Sequence, residues 1–217
     1  MRIECDLSIR LPSHALFVGA TQSGKTRLCL HLLTNPKLFN PKPKRVLFHY
    51  DQYQDSYLDA KKLLGKENIE LLLFKGCSDI DLDSIDKLSG QTILLIDDFS
   101  EETSSSKAIA RIATNGRHKN ISLWLVWHSL FSSNAASRVI TQNMSLIFCL
   151  PSPRLESQLR VFGGQLGMKV ALTGAYKRCT SNRDEEYPYL LIDLSPSIPS
   201  IFRLRSNVHA KVQYCYT

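Results

Sequence analysis

The chain has 217 residues, of which 43% are hydrophobic and 22% are charged, and its formal net charge is +7 at pH 7. This content suffices for one domain with a sizeable core, and no apolar run is long enough to span a bilayer. Residues 1–6 lack the apolar segment of a signal peptide, and six scattered cysteines without a Cys-x-x-Cys pair indicate reduced thiols of a cytosolic or nuclear protein.

Apolar runs alternate with helical patterns along the whole chain, which predicts an α/β fold with helices on both sides of a mostly parallel sheet. The predicted strands are 15–19, 45–50, 70–74, 92–97, 121–127, 145–150 and 189–194. The predicted helices are 25–34, 54–64, 83–88, 105–115, 136–142 and 154–162. Without repeats or a clear linker, we expect a single domain over 1–217. Within this domain, a candidate added edge strand lies at residues 1–14. A C-terminal strand and tail lie at residues 188–217.

The first strand and helix flank a loop that matches the phosphate-binding pattern G-x-x-x-x-G-K-[ST] at every fixed position. Its backbone N–H groups and the following helix N-terminus suit a polyphosphate. Lys25 would reach the β- and γ-phosphates, and the Thr26 hydroxyl would ligate Mg²⁺. A chance match in a glycine-containing loop is the alternative. The predicted nucleotide-binding residues are Gly19, Ala20, Thr21, Gln22, Ser23, Gly24, Lys25 and Thr26.

Asp97 ends the predicted strand at 92–97, and Asp98 follows it directly. Ligands of open α/β sheets bind at the carboxyl ends of the strands. Asp97 is therefore predicted to hold Mg²⁺, and Asp98 to orient or deprotonate the attacking water. Glu101 and Glu102 are rivals for the second role, and a solvated acidic strand end is the alternative.

A basic turn, Arg117-His118-Lys119, leads into the predicted strand at 121–127, and His128 follows that strand. His128 could contact the γ-phosphate or the catalytic water, or simply bond to a neighbouring loop. The turn could contact DNA or another subunit, or be a solvated surface. Trp124 and Trp127 are predicted to be core residues.

Positive charge is concentrated in the second half of the chain. Residues 1–100 contain 13 Lys/Arg and 13 Asp/Glu, whereas residues 101–217 contain 14 and 7. This asymmetry favours a nucleic-acid partner, with a merely soluble basic surface as the alternative. Arg138 could act on the γ-phosphate of a neighbouring subunit or make a local ion pair. Arg203 and Arg205 alternate, so they could face DNA from one strand or make structural pairs.

Together these segments resemble the viral genome-packaging ATPases of the FtsK/HerA superfamily, in the poxvirus-type branch of Polinton (Maverick) elements, adintovirus-like viruses and virophages. The likeness covers about residues 15–207. Its narrowest part is the Gly-Arg-His-Lys-Asn-Ile-Ser segment at 116–122, followed by a strand and Leu130-Phe131. The other matching segments are 19–26, 46–53, 94–98, 137–143, 189–194 and 203–205.

The resemblance implies a P-loop NTPase of the RecA-like/ASCE class, an ATP hydrolase that uses ATP and Mg²⁺. It further implies a homo-oligomeric ring that pumps double-stranded DNA into a preformed capsid, with capsid vertex or portal proteins as partners. Arg138 would be the arginine finger. The implied location is the host cytoplasm (a viral factory) or the nucleus, and transiently the capsid.

Relatives commonly have Gln-Asn-Leu-Phe where this chain has His128-Ser-Leu-Phe. An imidazole cannot both donate and accept with the geometry of an amide. That difference favours a nucleotide-binding assembly scaffold with little hydrolysis. The remaining alternative is a cellular-type DNA translocase or helicase of the same superfamily, although 217 residues leave little room for a further guiding domain.

Overall fold

The computed structural model describes residues 6–77, 80–86, 88–98, 106–131, 134–181 and 185–217. Nine strands form one mixed sheet, and two short strands form a separate pair. The strands are β1 (Ile9–Arg10), β2 (Ala15–Val18), β3 (Phe39–Asn40), β4 (Arg45–Tyr50), β5 (Glu70–Lys75), β6 (Thr92–Ile96), β7 (Ile121–Trp127), β8 (Leu146–Cys149), β9 (Leu190–Asp193), β10 (Leu204–Ser206) and β11 (Tyr214–Tyr216). The large sheet has the order β11-β10-β9-β8-β2-β7-β6-β4-β5.

Helices cover both faces of the large sheet, and each face has its own hydrophobic core. The described helices are α1 (Lys25–Leu33), α2 (Ser56–Lys66), α3 (Leu82–Asp86), α4 (Lys107–Asn115), α5 (Ala135–Gln142), α6 (Leu155–Gln165) and α7 (Lys169–Ser181). Helices α1 and α2 pack on one face, and α3 to α7 pack on the other. Strand β2 shows why both faces need cover, because Leu16 belongs to one core and Phe17 to the other.

Six neighbouring strands, β5-β4-β6-β7-β2-β8, run parallel, and β9 to β11 add antiparallel pairs at one side. The expectation of a mixed α/β fold with a large, mostly parallel sheet is therefore confirmed. Because the strands are parallel, the residues that follow β2, β4, β6 and β7 all reach the same edge, which we call the carboxyl edge. Trp124 and Trp127 are buried in β7, as expected for core residues.

The amino-terminal strand differs from its prediction. Ile9–Arg10 pairs in parallel with Phe39–Asn40 in the separate two-stranded sheet, so it does not extend the main sheet. Ile9 and Phe39 instead cover the core beneath α1 and α2. The first five residues of the predicted edge-strand segment lie outside the described residues.

The late arginines do not share one strand face as the alternation predicted. Arg203 lies in the turn before β10, whereas Arg205 is fully buried in β10. The Arg205 guanidinium donates to the Asp193 carboxylate and, at 2.9 Å, to the Leu7 carbonyl. Of the two alternatives for Arg205, the structure shows the structural pair, because a side chain with no exposed area cannot meet DNA.

Helix α7 was not predicted, although Leu172, Ala175, Tyr176 and Cys179 are all buried on its inner face. Of the helices in the described ranges, none is both long enough and apolar enough to cross a membrane. The five cysteines that the structure describes are free thiols.

A buried histidine makes stability depend on pH. His14 has no exposed area, and its Nδ1 accepts the Leu123 N–H at 2.8 Å. Burial lowers the pKa of His14 from 6.5 to about 4, and the positive charge of Arg117 adds to the effect. Because the folded pKa lies below the unfolded one, the unfolded chain takes up the proton first, so stability is lost as pH falls from 6.5 towards 4. This single group should lower the free energy of unfolding by about 2 kcal/mol between pH 7.5 and pH 5.

Urea denaturation of the wild type and of His14→Asn at the two pH values checks this expectation. The amide oxygen of asparagine can accept the Leu123 N–H but does not titrate, so the variant isolates the imidazole from the carboxylates. Equal losses of stability in both proteins would contradict the assignment.

Candidate active site

The loop after β2 has the backbone geometry of a phosphate cradle. Gly24, which caps α1, has φ +87°, and Gln22 has φ +62°, so both lie in the left-handed region. A Cβ on Gly19 would lie 2.7 Å from the Ser23 hydroxyl oxygen and 2.9 Å from the Leu150 Cβ, so this position has no room for a side chain. The Ser23 hydroxyl is itself buried and has no hydrogen-bond partner within the described ranges. The loop thus has a hydroxyl group available for a hydrogen bond at the N-terminus of α1, and helix N-termini are places where anions bind.

Lys25 folds back over this loop. Its Nζ donates to the carbonyl oxygens of Ala20 at 2.7 Å and Gly19 at 3.2 Å, and lies 3.4 Å from His128 Nδ1. Burial lowers the pKa of Lys25, while the negative charges of Asp97 and Asp98 oppose that shift. A phosphate group would offer this ammonium stronger, charged acceptors than two carbonyls.

Asp97 is held at both carboxylate oxygens. Oδ1 accepts from the Thr26 hydroxyl at 2.8 Å and from the Asp98 N–H at 3.1 Å, and Oδ2 accepts from the Tyr57 hydroxyl at 3.1 Å. Burial raises the pKa of Asp97, and the hydrogen bonds from Thr26 and Tyr57 oppose that shift. A hydroxyl beside a carboxylate is an oxygen pair that suits Mg²⁺, so Thr26 and Asp97 fit the ion that the sequence predicts for them.

Asp98 and His128 form the exposed side of the site. Asp98 has φ +60° at the end of β6, and its side chain is 64% exposed. His128 Nε2 lies 3.4 Å from Asp98 Oδ1, while Nδ1 faces Lys25. An ammonium can only donate, so Nδ1 accepts and Nε2 carries the proton that points to Asp98. His128 therefore bridges Lys25 and Asp98.

These side chains line one cavity of about 440 Å³ at the carboxyl edge. The structure thereby brings together the predicted residues Thr21, Gln22, Lys25, Thr26, Asp97, Asp98 and His128. It also adds Asp51, Gln52 and Gln54, which the sequence interpretation missed as site residues. The available signal was their position directly after β4, another parallel strand that ends at this edge.

Helix α6 anchors the segment after His128, a feature that the sequence interpretation also missed. The Gln158 side chain accepts from the Leu130 N–H at 2.9 Å and donates to the Ser129 hydroxyl at 3.0 Å. The Ser129 hydroxyl in turn donates to the Phe131 carbonyl at 2.9 Å. These contacts tether the backbone that directly follows His128 to α6.

Other predicted residues lie elsewhere. Arg138 is exposed on α5 and does not line the cavity of Lys25. The basic turn at 116–119 precedes β7, so it lies at the opposite edge of the sheet. In that turn Lys119 pairs with Asp83 at 3.7 Å. Glu101 and Glu102 lie outside the described residues.

No protein-family model matches the chain, and no curated protein matches its sequence. Solved structures are similar to it, and two of them show the level of likeness. The cytoplasmic domain of EssC aligns at a TM-score of 0.47 and 13% identity, over 70% of this chain and 33% of that chain. The ATPase DotB of Legionella pneumophila aligns at 0.40 and 11%, over 78% of this chain and 53% of that chain. The chain thus spans about a third of the first structure and about half of the second. Likeness at this level does not assign a function, which must be argued from the site itself.

Proposed function

We propose that this chain is an ATP-hydrolysing motor that moves double-stranded DNA into a preformed viral capsid. The observation that carries the nucleotide part is the convergence of Lys25, Thr26, Asp97, Asp98 and His128 on one cavity beside a glycine-bounded loop. These residues come from three separate strand ends, β2, β6 and β7. A chance match to the loop pattern would not bring the other two strand ends to it.

Each side chain then has a defined task. The loop N–H groups and Lys25 hold the phosphates, and Thr26 and Asp97 would hold Mg²⁺, which neutralises phosphate charge when bound. Asp98 is the general base, because its exposed carboxylate can accept a proton from water at the phosphate end. His128 lies between Lys25 and Asp98 and is therefore placed to respond to the γ-phosphate.

The RecA-like/ASCE class is part of this proposal. Strand β7 lies between β2, which leads into the phosphate loop, and β6, which ends at Asp97. A strand inserted there puts the residue that follows it, His128, between the phosphate loop and the acidic pair. This arrangement supports a sensor position on β7.

DNA is proposed as the partner from charge and from the resemblance. Residues 106–155 contain six Lys/Arg and no Asp/Glu. Such a segment suits a phosphate backbone, which binds through Lys and Arg without reading base sequence. The basic turn, at the sheet edge opposite the nucleotide cavity, is the leading contact surface. Asp83 neutralises part of the charge there by pairing with Lys119 of the turn and with Arg111 of α4.

A ring of identical subunits is proposed because Arg138 lies outside its own nucleotide cavity and is exposed. An arginine so placed can act on the γ-phosphate of a neighbour, which makes hydrolysis depend on assembly. Capsid vertex or portal proteins complete the proposed partners. The proposed location is the host cytoplasm or nucleus, with transient residence on the capsid.

One observation favours a second candidate, a nucleotide-binding scaffold with little hydrolysis. The Lys25 ammonium already contacts His128 and two loop carbonyls, so binding phosphate means breaking those contacts. A histidine that holds Lys25 and Asp98 together could keep the site closed to turnover. Turnover in the presence of DNA separates this candidate from the motor.

ATP hydrolysis by the purified protein, with and without double-stranded DNA, tests the proposal. We expect DNA to stimulate turnover, and Arg138→Ala to lower the stimulated rate by about 10³-fold or more, the range of arginine fingers. Arg160→Ala is the matched control, because Arg160 is also exposed on a helix and pairs locally with Glu156. It should hydrolyse like the wild type.

Mixing inactive Lys25→Ala subunits into wild-type protein tests the ring, since activity should fall more steeply than the inactive fraction rises. Nucleotide binding without turnover under any condition would contradict the motor and support the scaffold. Full stimulated activity in Arg138→Ala would contradict the finger assignment alone.

A further inference from the structure

Tyr57, a residue that no sequence motif singles out, contacts the proposed metal ligand from a different element of the fold. It lies in the first turn of α2, 40 positions before Asp97, and has no exposed area. Its hydroxyl donates to Asp97 Oδ2 at 3.1 Å and also faces the Gln52 carbonyl at 3.4 Å.

The ring that carries this hydroxyl is fixed by an aromatic cluster. Its centroid lies 4.7 Å from that of Phe48, 5.5 Å from that of Tyr50 and 5.6 Å from that of Tyr53. Ring pairs at these distances pack favourably and hold each other in place. The hydroxyl is therefore presented to Asp97 from a rigid support.

The Asp97 carboxylate consequently accepts a side-chain hydrogen bond at each of its two oxygens. Thr26 donates to one oxygen and Tyr57 to the other, so rotation about the Cβ–Cγ bond must break at least one of these bonds. Thr26 is itself a proposed ligand and would turn its oxygen towards a cation. Tyr57 then remains as the side chain that keeps the carboxylate aligned.

We propose that Tyr57 is a positioning residue that holds the Asp97 carboxylate in the orientation required by a divalent cation between Thr26 and Asp97. The inference rests on the proposed function, because it assumes that a Mg²⁺–nucleotide complex binds at this cavity. Hydrogen bonds to ligating carboxylates fix their orientation, and loss of such a partner typically weakens metal affinity 10–100-fold. The Tyr57 hydroxyl also faces the carbonyl oxygen of Gln52, a residue that lines the same cavity.

Binding of a fluorescent ATP analogue, titrated with Mg²⁺ and repeated in EDTA, tests this role without relying on turnover. For Tyr57→Phe we expect about a tenfold rise in the Mg²⁺ concentration at half-saturation and unchanged affinity in EDTA. Tyr53→Phe is the matched control, since it removes a hydroxyl from the same cluster but from an exposed side chain. It should titrate like the wild type.

A second measurement uses only the wild-type protein, so it does not depend on the folding of a variant. In wild-type protein labelled with ¹³C at tyrosine Cζ, the Tyr57 resonance should shift when Mg²⁺ is added to the nucleotide-loaded protein, while that of Tyr53 stays in place. An unshifted Tyr57 resonance, or a Tyr57→Phe titration equal to that of Tyr53→Phe, would overturn the inference alone. Wild-type protein that binds no nucleotide would instead overturn the proposed function, and this inference with it.

Discussion

Replacing Lys25 with methionine is expected to lower the rate of ATP hydrolysis by about 100-fold or more, the usual cost of removing one group that stabilises transition-state charge. Lys25 is the only lysine or arginine among the described residues that line the cavity. Its ammonium contacts carbonyls and an imidazole, all of which it can exchange for phosphate oxygens. Methionine keeps most of the apolar stem and removes only the charge.

Steady-state hydrolysis measures this effect, and nucleotide binding with thermal unfolding shows whether the fold survives. Lys42→Met is the control, because Lys42 is exposed and pairs with Glu67 at 3.3 Å away from the cavity. It should behave like the wild type. Wild-type turnover in Lys25→Met would contradict the assignment of the phosphate loop.

The second large effect is expected for Asp98→Asn, which should lower kcat by about 10²–10⁴-fold while nucleotide affinity stays close to that of the wild type. Asparagine has almost the same shape but cannot accept a proton from water. Asp98 contacts His128 from an exposed position, so the substitution leaves no buried charge without a partner. Asp97→Asn provides the contrast, because it should weaken Mg²⁺-dependent binding instead.

Single-turnover kinetics separate the two aspartates by distinguishing the chemical step from binding. An Asp98→Asn protein with the wild-type rate would transfer the base role to another carboxylate, and Glu101 and Glu102 are the residues to replace next.

The parts of this site that the sequence could predict are those set by local patterns. The loop at 19–26 needs glycines where the backbone is left-handed or crowded, so its pattern is visible in a single segment. Asp97 and Asp98 follow a short apolar run rich in isoleucine and leucine, which favours a buried strand. Parallel strands then bring such ends to one edge without any further information.

The parts that it could not predict depend on pairs that are distant in the chain. Arg205 looks like a surface residue in its alternating segment, and only the structure shows Asp193 and the Leu7 carbonyl around it. The bond between Tyr57 and Asp97 likewise joins α2 to the end of β6.

Helix α7 had a usable signal that was overlooked. Its buried residues Leu172, Ala175, Tyr176 and Cys179 have the spacing of one helical face. Ala175 and Cys179 are small, so that face is only weakly apolar in the sequence, and the interior Gly174 lowers the helix propensity of the segment.

Strand β7 determines how the two edges of the sheet can communicate. It begins one residue after the basic turn and ends at Trp127, immediately before His128, and all seven of its residues are buried. Seven extended residues span about 23 Å, well beyond the roughly 8 Å over which charges act through physiological salt. The charge state at one end is therefore screened from the other. The strand can instead transmit a displacement along its own axis. The hydrogen bonds of β7 to β2 and β6 resist such a displacement. Under the proposed function, the nucleotide cavity and the proposed DNA surface would therefore be coupled mechanically, through displacement of β7.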